Sequence, residues 1–252
     1  MYEPQPPVER PPQPMARVTL PQATPYVTYS ILGLTILVYL AQMLSDFVLG
    51  NDWPALLGMK INEFIIAGQL WRLFTPALLH GSIMHIGFNM YALVVIGSGL
   101  ERFFGHGRYL LLYLAGAFAG NVLSFLISPN PSLGASTAIF GLLGAQAVFL
   151  YRHRELFGSQ ARSALQNVVV IAGINFVIGL QPGIDNWGHL GGLLGGLIFT
   201  WFGGPRFVVE GLYPLMRLED EHGQIQTLTG IGVVLFIFGA LAAWGMGLFG
   251  SF

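Results

Sequence analysis

The sequence predicts an all-α, polytopic membrane protein, and three observations carry that expectation. Over its 252 residues, 54% are hydrophobic and only 9% charged, against about 25% charged in an ordinary soluble domain. Mean hydropathy is +0.63. Seven segments are each free of Asp, Glu, Lys and Arg and approach the roughly 17–25 residues that a bilayer crossing needs, at residues 26–45, 83–100, 109–127, 135–151, 164–180, 187–203 and 228–249. Lipid offers no partner for an unpaired backbone, so such segments are helices. The composition also excludes classes of function. With a net charge of −1 there is no basic field for nucleic acid. With no cysteine there is no disulfide, thiolate metal site or cysteine nucleophile.

Residues 1–25 hold eight of the 15 prolines and no apolar run. They read as an extended, disordered tail rather than a cleavable signal peptide. Between the first two spans lies an outer segment, about 50–82, rich in Trp53, Phe64, Ile65, Ile66, Leu70, Trp71, Leu73 and Phe74. Aromatic and apolar residues with few charges suggest a piece embedded in the membrane interface. Residues 205–227 read as a linker ahead of a seventh span within 228–252. Orientation follows from the cations near the span ends. Nine of them (Arg10, Arg17, Arg102, Arg108, Arg152, Arg154, Arg162, Arg206 and Arg217) fall on one side, and only Lys60 and Arg72 on the other. The split places the N-terminus in the cytoplasm and, with seven spans, the C-terminus outside.

Three spans open at the outer face with polar residues, which are costly in lipid and so point to function. The second opens His80-Gly-Ser-Ile-Met-His85-Ile-Gly-Phe-Asn89, the fourth Gly134-Ala-Ser136-Thr137, and the sixth Asn186-Trp-Gly188-His189. All run from outside to inside, so His85, Asn89, Ser136 and His189 lie at one shallow depth. His85 and Asn89 share a helix face. Gly188, Gly192 and Gly196 in the sixth span repeat at the spacing that lets helices approach closely, and the fourth span is equally rich in small residues. If these faces meet, Ser136 and His189 come within one hydrogen bond. A hydroxyl needs a base to become a nucleophile, and a neutral imidazole suits that task. Donors for an oxyanion are at hand in Asn89, His85 and the Ser136 N–H at a helix start. No acidic residue lies in any span to complete a triad, and no metal-ligand pattern is present.

Together these pieces resemble the rhomboid intramembrane serine proteases. The resemblance covers about residues 26–203 and rests on Trp71-Arg72, His80…His85-xxx-Asn89, Glu101-Arg102, Gly134-Ala-Ser136 and His189-xx-Gly192-xxx-Gly196. It implies a core of six helices over residues 26–204 with one extra C-terminal helix, and an enzyme without cofactor or metal. The nucleophile would be Ser136, the base His189, and the oxyanion donors His85 and Asn89, with Trp71 and Arg72 anchoring the outer loop. Gly134, Gly188 and Gly192 would support the site, and Phe140 would stack on His189. Substrates would be single-span membrane proteins, and the default location a bacterial plasma membrane. Two positions depart from the commonest pattern. Thr137 stands where a second glycine is frequent and could narrow the pocket, and Phe140 replaces a tyrosine. Thr137 is the only sequence support for the alternative, a rhomboid-like protein that binds membrane clients without cutting them. A transporter would carry its polar groups through the membrane, whereas here only Asn121 and Asn175 lie nearer the middle.

Overall fold

The computed structural model describes residues 23–211 and 216–250; most of the Pro-rich segment therefore lies outside the described residues. The chain begins with a long apolar helix, α1 (Tyr26–Leu49), which ends where Gly50 turns left-handed (φ 68°) and returns its N–H to Asp46. The outer segment follows. It holds two short helices, α2 (Trp53–Gly58) and α3 (Asn62–Ile66), and two 3₁₀ turns (Leu70–Leu73 and Thr75–Leu78). Asp52 starts α2 by accepting the Ala55 N–H at 2.9 Å. Leu57, Phe64, Leu70 and Trp71 leave this segment exposed and apolar.

The second span is one 22-residue helix, Ile83–Phe104, in three parts: α4 (Ile83–Ala92), a π turn (Leu93–Gly97) and α5 (Ser98–Phe104). The π turn sits where three helices crowd together. A Cβ on Gly97 would lie 2.3 Å from the Tyr109 hydroxyl and 3.3 Å from Thr28. Because this helix runs on to Phe104, it takes in Glu101, so the expectation that no acidic residue lies in a span is corrected. Glu101 is fully buried and accepts the Val27 and Thr28 N–H groups and the Thr28 hydroxyl at 2.7–2.8 Å, which caps α1. His106 is its fourth partner.

Gly105 (φ 72°) breaks the chain between α5 and α6 (His106–Ile127). Next come α7 (Ser136–Arg152), α8 (Arg154–Ile178) and α9 (Asn186–Gly203). Residues 207–210 (β1) and 217–220 (β2) pair antiparallel, so the expected linker is in part a hairpin. The last helix is α10 (Gln224–Phe249). Five helices among the described residues are long and apolar enough to cross a membrane: α1, Ile83–Phe104, α6, α8 and α10. The two other long helices, α7 and α9, are shorter, and α9 is rich in glycine. They pack on each other and on α6, and small residues on the facing sides allow close approach. The fifth segment begins earlier than the sequence indicated, at Arg154, with a non-helical Gly158 inside it.

The α6–α7–α9 centre is a backbone-to-backbone seam. A Cβ on Gly192 would fall 2.0 Å from the Thr137 carbonyl oxygen, one on Gly196 1.9 Å from that of Gly141, and one on Gly116 3.0 Å from the Gly141 Cα. Only glycine permits that approach. The seam continues to α10, where Gly203 and Gly230 face each other.

Candidate active site

The first turn of α9 and the first turn of α7 meet at one end of this seam. His189 Nε2 lies 3.0 Å from Ser136 Oγ. Ser136 is half-buried and is the first residue of α7. Its N–H therefore has no carbonyl one turn earlier to donate to. His189 is 7% exposed. The Phe140 ring lies flat against the imidazole, with centroids 4.3 Å apart and planes within 7°. The His189 Nδ1 has no hydrogen-bond partner among the described residues.

Across the mouth, His85 and Asn89 project from α4, which Ser82 starts by accepting the His85 N–H. Gly134 separates His85 from Ser136. Its φ is 137°, and a Cβ there would meet the His85 ring at 2.8 Å and the Ser136 hydroxyl at 3.6 Å. A side chain at 134 would be strained and would fill the gap between the two groups. The Asn89 Nδ2 donates to the His85 carbonyl of its own helix at 3.0 Å. One amide N–H remains for another acceptor.

The Thr137 side chain is 5% exposed and packs into the seam, where Gly120 and Gly188 lack the Cβ that would strike it. Gly188 and Gly192 both serve contact with Thr137. Trp71 and Arg72 lie away from the serine. Trp71 donates to the Leu57 carbonyl at 3.1 Å. Arg72 is buried, donates to Met59 and Leu56 carbonyls at 2.7 and 2.9 Å and lies over the Phe64 ring. It thus ties off the end of α2 and stiffens the outer segment.

Sequence reasoning missed the residues that hold the loop before Ser136. Lys60 is fully buried and donates to the Ser128 and Asn130 carbonyls at 2.8 and 2.9 Å. Its backbone bridges to Ser132 in both directions. Asn62 adds bonds to Phe125 and Ser128. On the other side, Gly134 donates to Pro76 and Ala135 to His80 Nε2, at 2.9 and 3.4 Å. Burial pushes the Lys60 ammonium down to about 8, with Asp185 and Glu63 drawing it back up. Burial and the neighbouring His85 hold His80 at about 3, so it is neutral. A second omission is Asp185, whose carboxylate caps α9 at Gly188 and takes the Ser124 hydroxyl of α6. The available signal was slight: Lys60 is the only lysine of the chain, and Asp185 stands just before the first turn of the sixth span. Asn121 clips α6 to the Leu73 carbonyl, and Asn175 bonds its own helix, so neither extends a polar path. No group of three or more metal-ligating side chains occurs among the described residues.

The chain is similar to known proteins. The family model described as a rhomboid domain matches residues 67–206. Rhomboid protease GluP of Bacillus subtilis (strain 168) is 41% identical over 173 residues, which is 68% of this chain and 34% of that protein. Two Arabidopsis thaliana relatives are RHOMBOID-like protein 9, chloroplastic, at 34% identity (59% of this chain, 35% of that one), and RHOMBOID-like protein 2, at 40% (69% and 56%). The chain thus spans between about a third and somewhat over half of the length of these relatives. The domain match takes in His85, Asn89, Ser136, Asp185 and His189 and covers more than half of the chain, which therefore belongs to the rhomboid family.

Proposed function

We propose that the chain is an intramembrane serine endopeptidase that cuts transmembrane segments of other membrane proteins near the extracytoplasmic face. The observation that carries this reading is the 3.0 Å contact between Ser136 Oγ and His189 Nε2 at the outer end of the α7–α9 seam. The Ser136 O–H donates to Nε2, which puts the imidazole proton on Nδ1. As Oγ attacks the scissile carbonyl carbon, its proton passes to Nε2. The carbonyl oxygen becomes an oxyanion, and the Ser136 N–H, the free Asn89 amide N–H and the His85 ring are the donors placed around it. The transient imidazolium has no carboxylate hydrogen-bonded to it among the described residues; the Asp185 charge reaches it only through space, and the face of Phe140 at 4.3 Å offers a cation–π contact. His189 then hands the proton to the leaving amine, and a water activated by the same nitrogen hydrolyses the acyl-enzyme.

The charge asymmetry supports an outward-facing site in a bacterial-type plasma membrane with a cytoplasmic N-terminus. The two cations of the sparse side, Lys60 and Arg72, are both buried and bound to backbone carbonyls, leaving that face without a free cation among the described residues. Seven spans in a six-plus-one arrangement fit the helices, with α7 and α9 interior. The non-cutting alternative loses its single support, because Thr137 is packed in the seam. The test is incubation of vesicle-reconstituted protein with a single-span substrate carrying small and helix-weakening residues near its outer end. Cleavage by the wild type and none by Ser136→Ala is expected; equal cleavage by both would overturn the reading.

A further inference from the structure

In triad hydrolases a carboxylate on the ring nitrogen sets the direction of the histidine. Here the His189 Nδ1 is buried without a partner, so the ring must be aimed by other means. The Phe140 stack fixes the ring plane but not how far the ring reaches toward Ser136. That reach depends on where the first turn of α9 sits.

The structure assigns that task to Asp185, and the assignment rests on the serine–histidine reading above. Asp185 stands immediately before α9, four residues ahead of His189. Oδ1 accepts the Gly188 N–H at 2.9 Å, and the backbone carbonyl accepts the His189 N–H at 3.1 Å. Oδ2 accepts the hydroxyl of Ser124, which is fully buried in α6. One carboxylate thereby joins the turn carrying the base to the helix on which both α7 and α9 are packed. The negative charge also sits at the positive end of α9. Gly188 completes the arrangement, since a Cβ there would lie 3.0 Å from Oδ2 and 3.1 Å from Thr137 Cγ2. The end of α6 is itself held by Lys60 and Asn62, through Ser128 and Phe125. The same helix end therefore locates the loop of the nucleophile on one side and the turn of the base on the other. Asp185 is a positioning residue: it does through the α9 backbone what a triad acid does through the ring.

The test uses the full chain in detergent and a fluorophosphonate that reports serine activation without needing substrate docking. Wild type labelled at Ser136, and Ser136→Ala unlabelled, is the arm that checks the underlying reading; its failure removes the dyad and this inference together. Given that arm, Asp185→Ala should label at least about tenfold more slowly per folded molecule, as a displacement near 1 Å implies, with the concentration for half-saturation unchanged. Asp185→Asn retains an acceptor for Gly188 and a polar group for Ser124, and should return to within about threefold of wild type, asparagine being an equally good cap. A wild-type rate for Asp185→Ala, or a rate for Asp185→Asn as low as that of Asp185→Ala, overturns the proposal. Where Asp185→Ala does not fold, Ser124→Ala carries the test, since it deletes only the hydroxyl. An unchanged labelling rate in that variant overturns the proposal equally.

Discussion

Gly192→Ala is the substitution that most sharply separates seam geometry from site chemistry. Gly192 lies three residues after His189, on the face of α9 that meets α7. A Cβ there would stand 2.0 Å from the Thr137 carbonyl oxygen, where ordinary contact begins at 3.4 Å. The obstacle is backbone, so no rotamer change relieves it, and the helices must part locally by roughly 1.4 Å. Overpacking of this kind costs about 1–3 kcal/mol of stability. The catalytic effect should be larger than the stability effect suggests. The Oγ–Nε2 contact of 3.0 Å opens toward about 4 Å, where a hydrogen bond no longer exists. A misplacement near 1 Å costs about 10²-fold in rate. The assay is cleavage rate per folded molecule beside thermal unfolding of the same detergent sample. Gly173→Ala, whose Cβ meets nothing within 4 Å, serves as the control and should leave both unchanged. A Gly192→Ala protein with a wild-type rate would refute the claim that the seam sets the Ser136–His189 distance.

Three further outcomes follow from the same contacts. Asn89→Ala should lower kcat by up to about 10²–10³-fold with little change in KM, as for one lost oxyanion donor; an unchanged kcat with a lowered melting temperature would leave Asn89 with only its bond to the His85 carbonyl. Thr137→Val should hold activity within about twofold and stability within about 1 kcal/mol, because the buried hydroxyl has no partner to lose; a large fall in rate would place Thr137 at the opening after all. Lys60, depressed from 10.5 to about 8 by burial, binds its proton less tightly folded than unfolded. Stability should therefore rise with pH between about 8 and 10.5, and Lys60→Met should abolish that rise; parallel melting-temperature profiles for the two proteins would refute it.

Five of the seven expected spans, and the polar residues that meet at the α7–α9 seam, were legible for one physical reason: polar atoms are rare in lipid. Ser136, His189, His85 and Asn89 stood out against apolar runs, and Gly192 and Gly196 announced a close helix contact. The supporting residues stayed hidden because their partners are distant in the chain or are backbone atoms. Lys60 reaches Ser128 across 68 residues, and nothing in either segment alone marks that pairing. Asp185 reads as an ordinary link residue until Ser124 is placed beside it. Thr137 neighbours the nucleophile and on sequence grounds could narrow the pocket; one position along a helix turns a side chain through about 100°, and here it packs into the seam. The hairpin of Phe207–Glu210 and Arg217–Asp220 is only four residues per strand, too short for alternation to distinguish it from a linker. The π turn at Leu93–Gly97 depends on Tyr109 and Thr28 of other helices, so local propensity could not reveal it.

The most direct measurement is the peptide-mapped site of covalent modification after the folded protein is treated with a serine-reactive phosphonate. The chain has 11 serines and phosphonates modify only an activated hydroxyl, so a single adduct on Ser136 is expected. That adduct should disappear in His189→Ala as fully as in Ser136→Ala, because the pair acts as a unit. An adduct on another serine, or an undiminished Ser136 adduct in folded His189→Ala protein, would contradict the dyad.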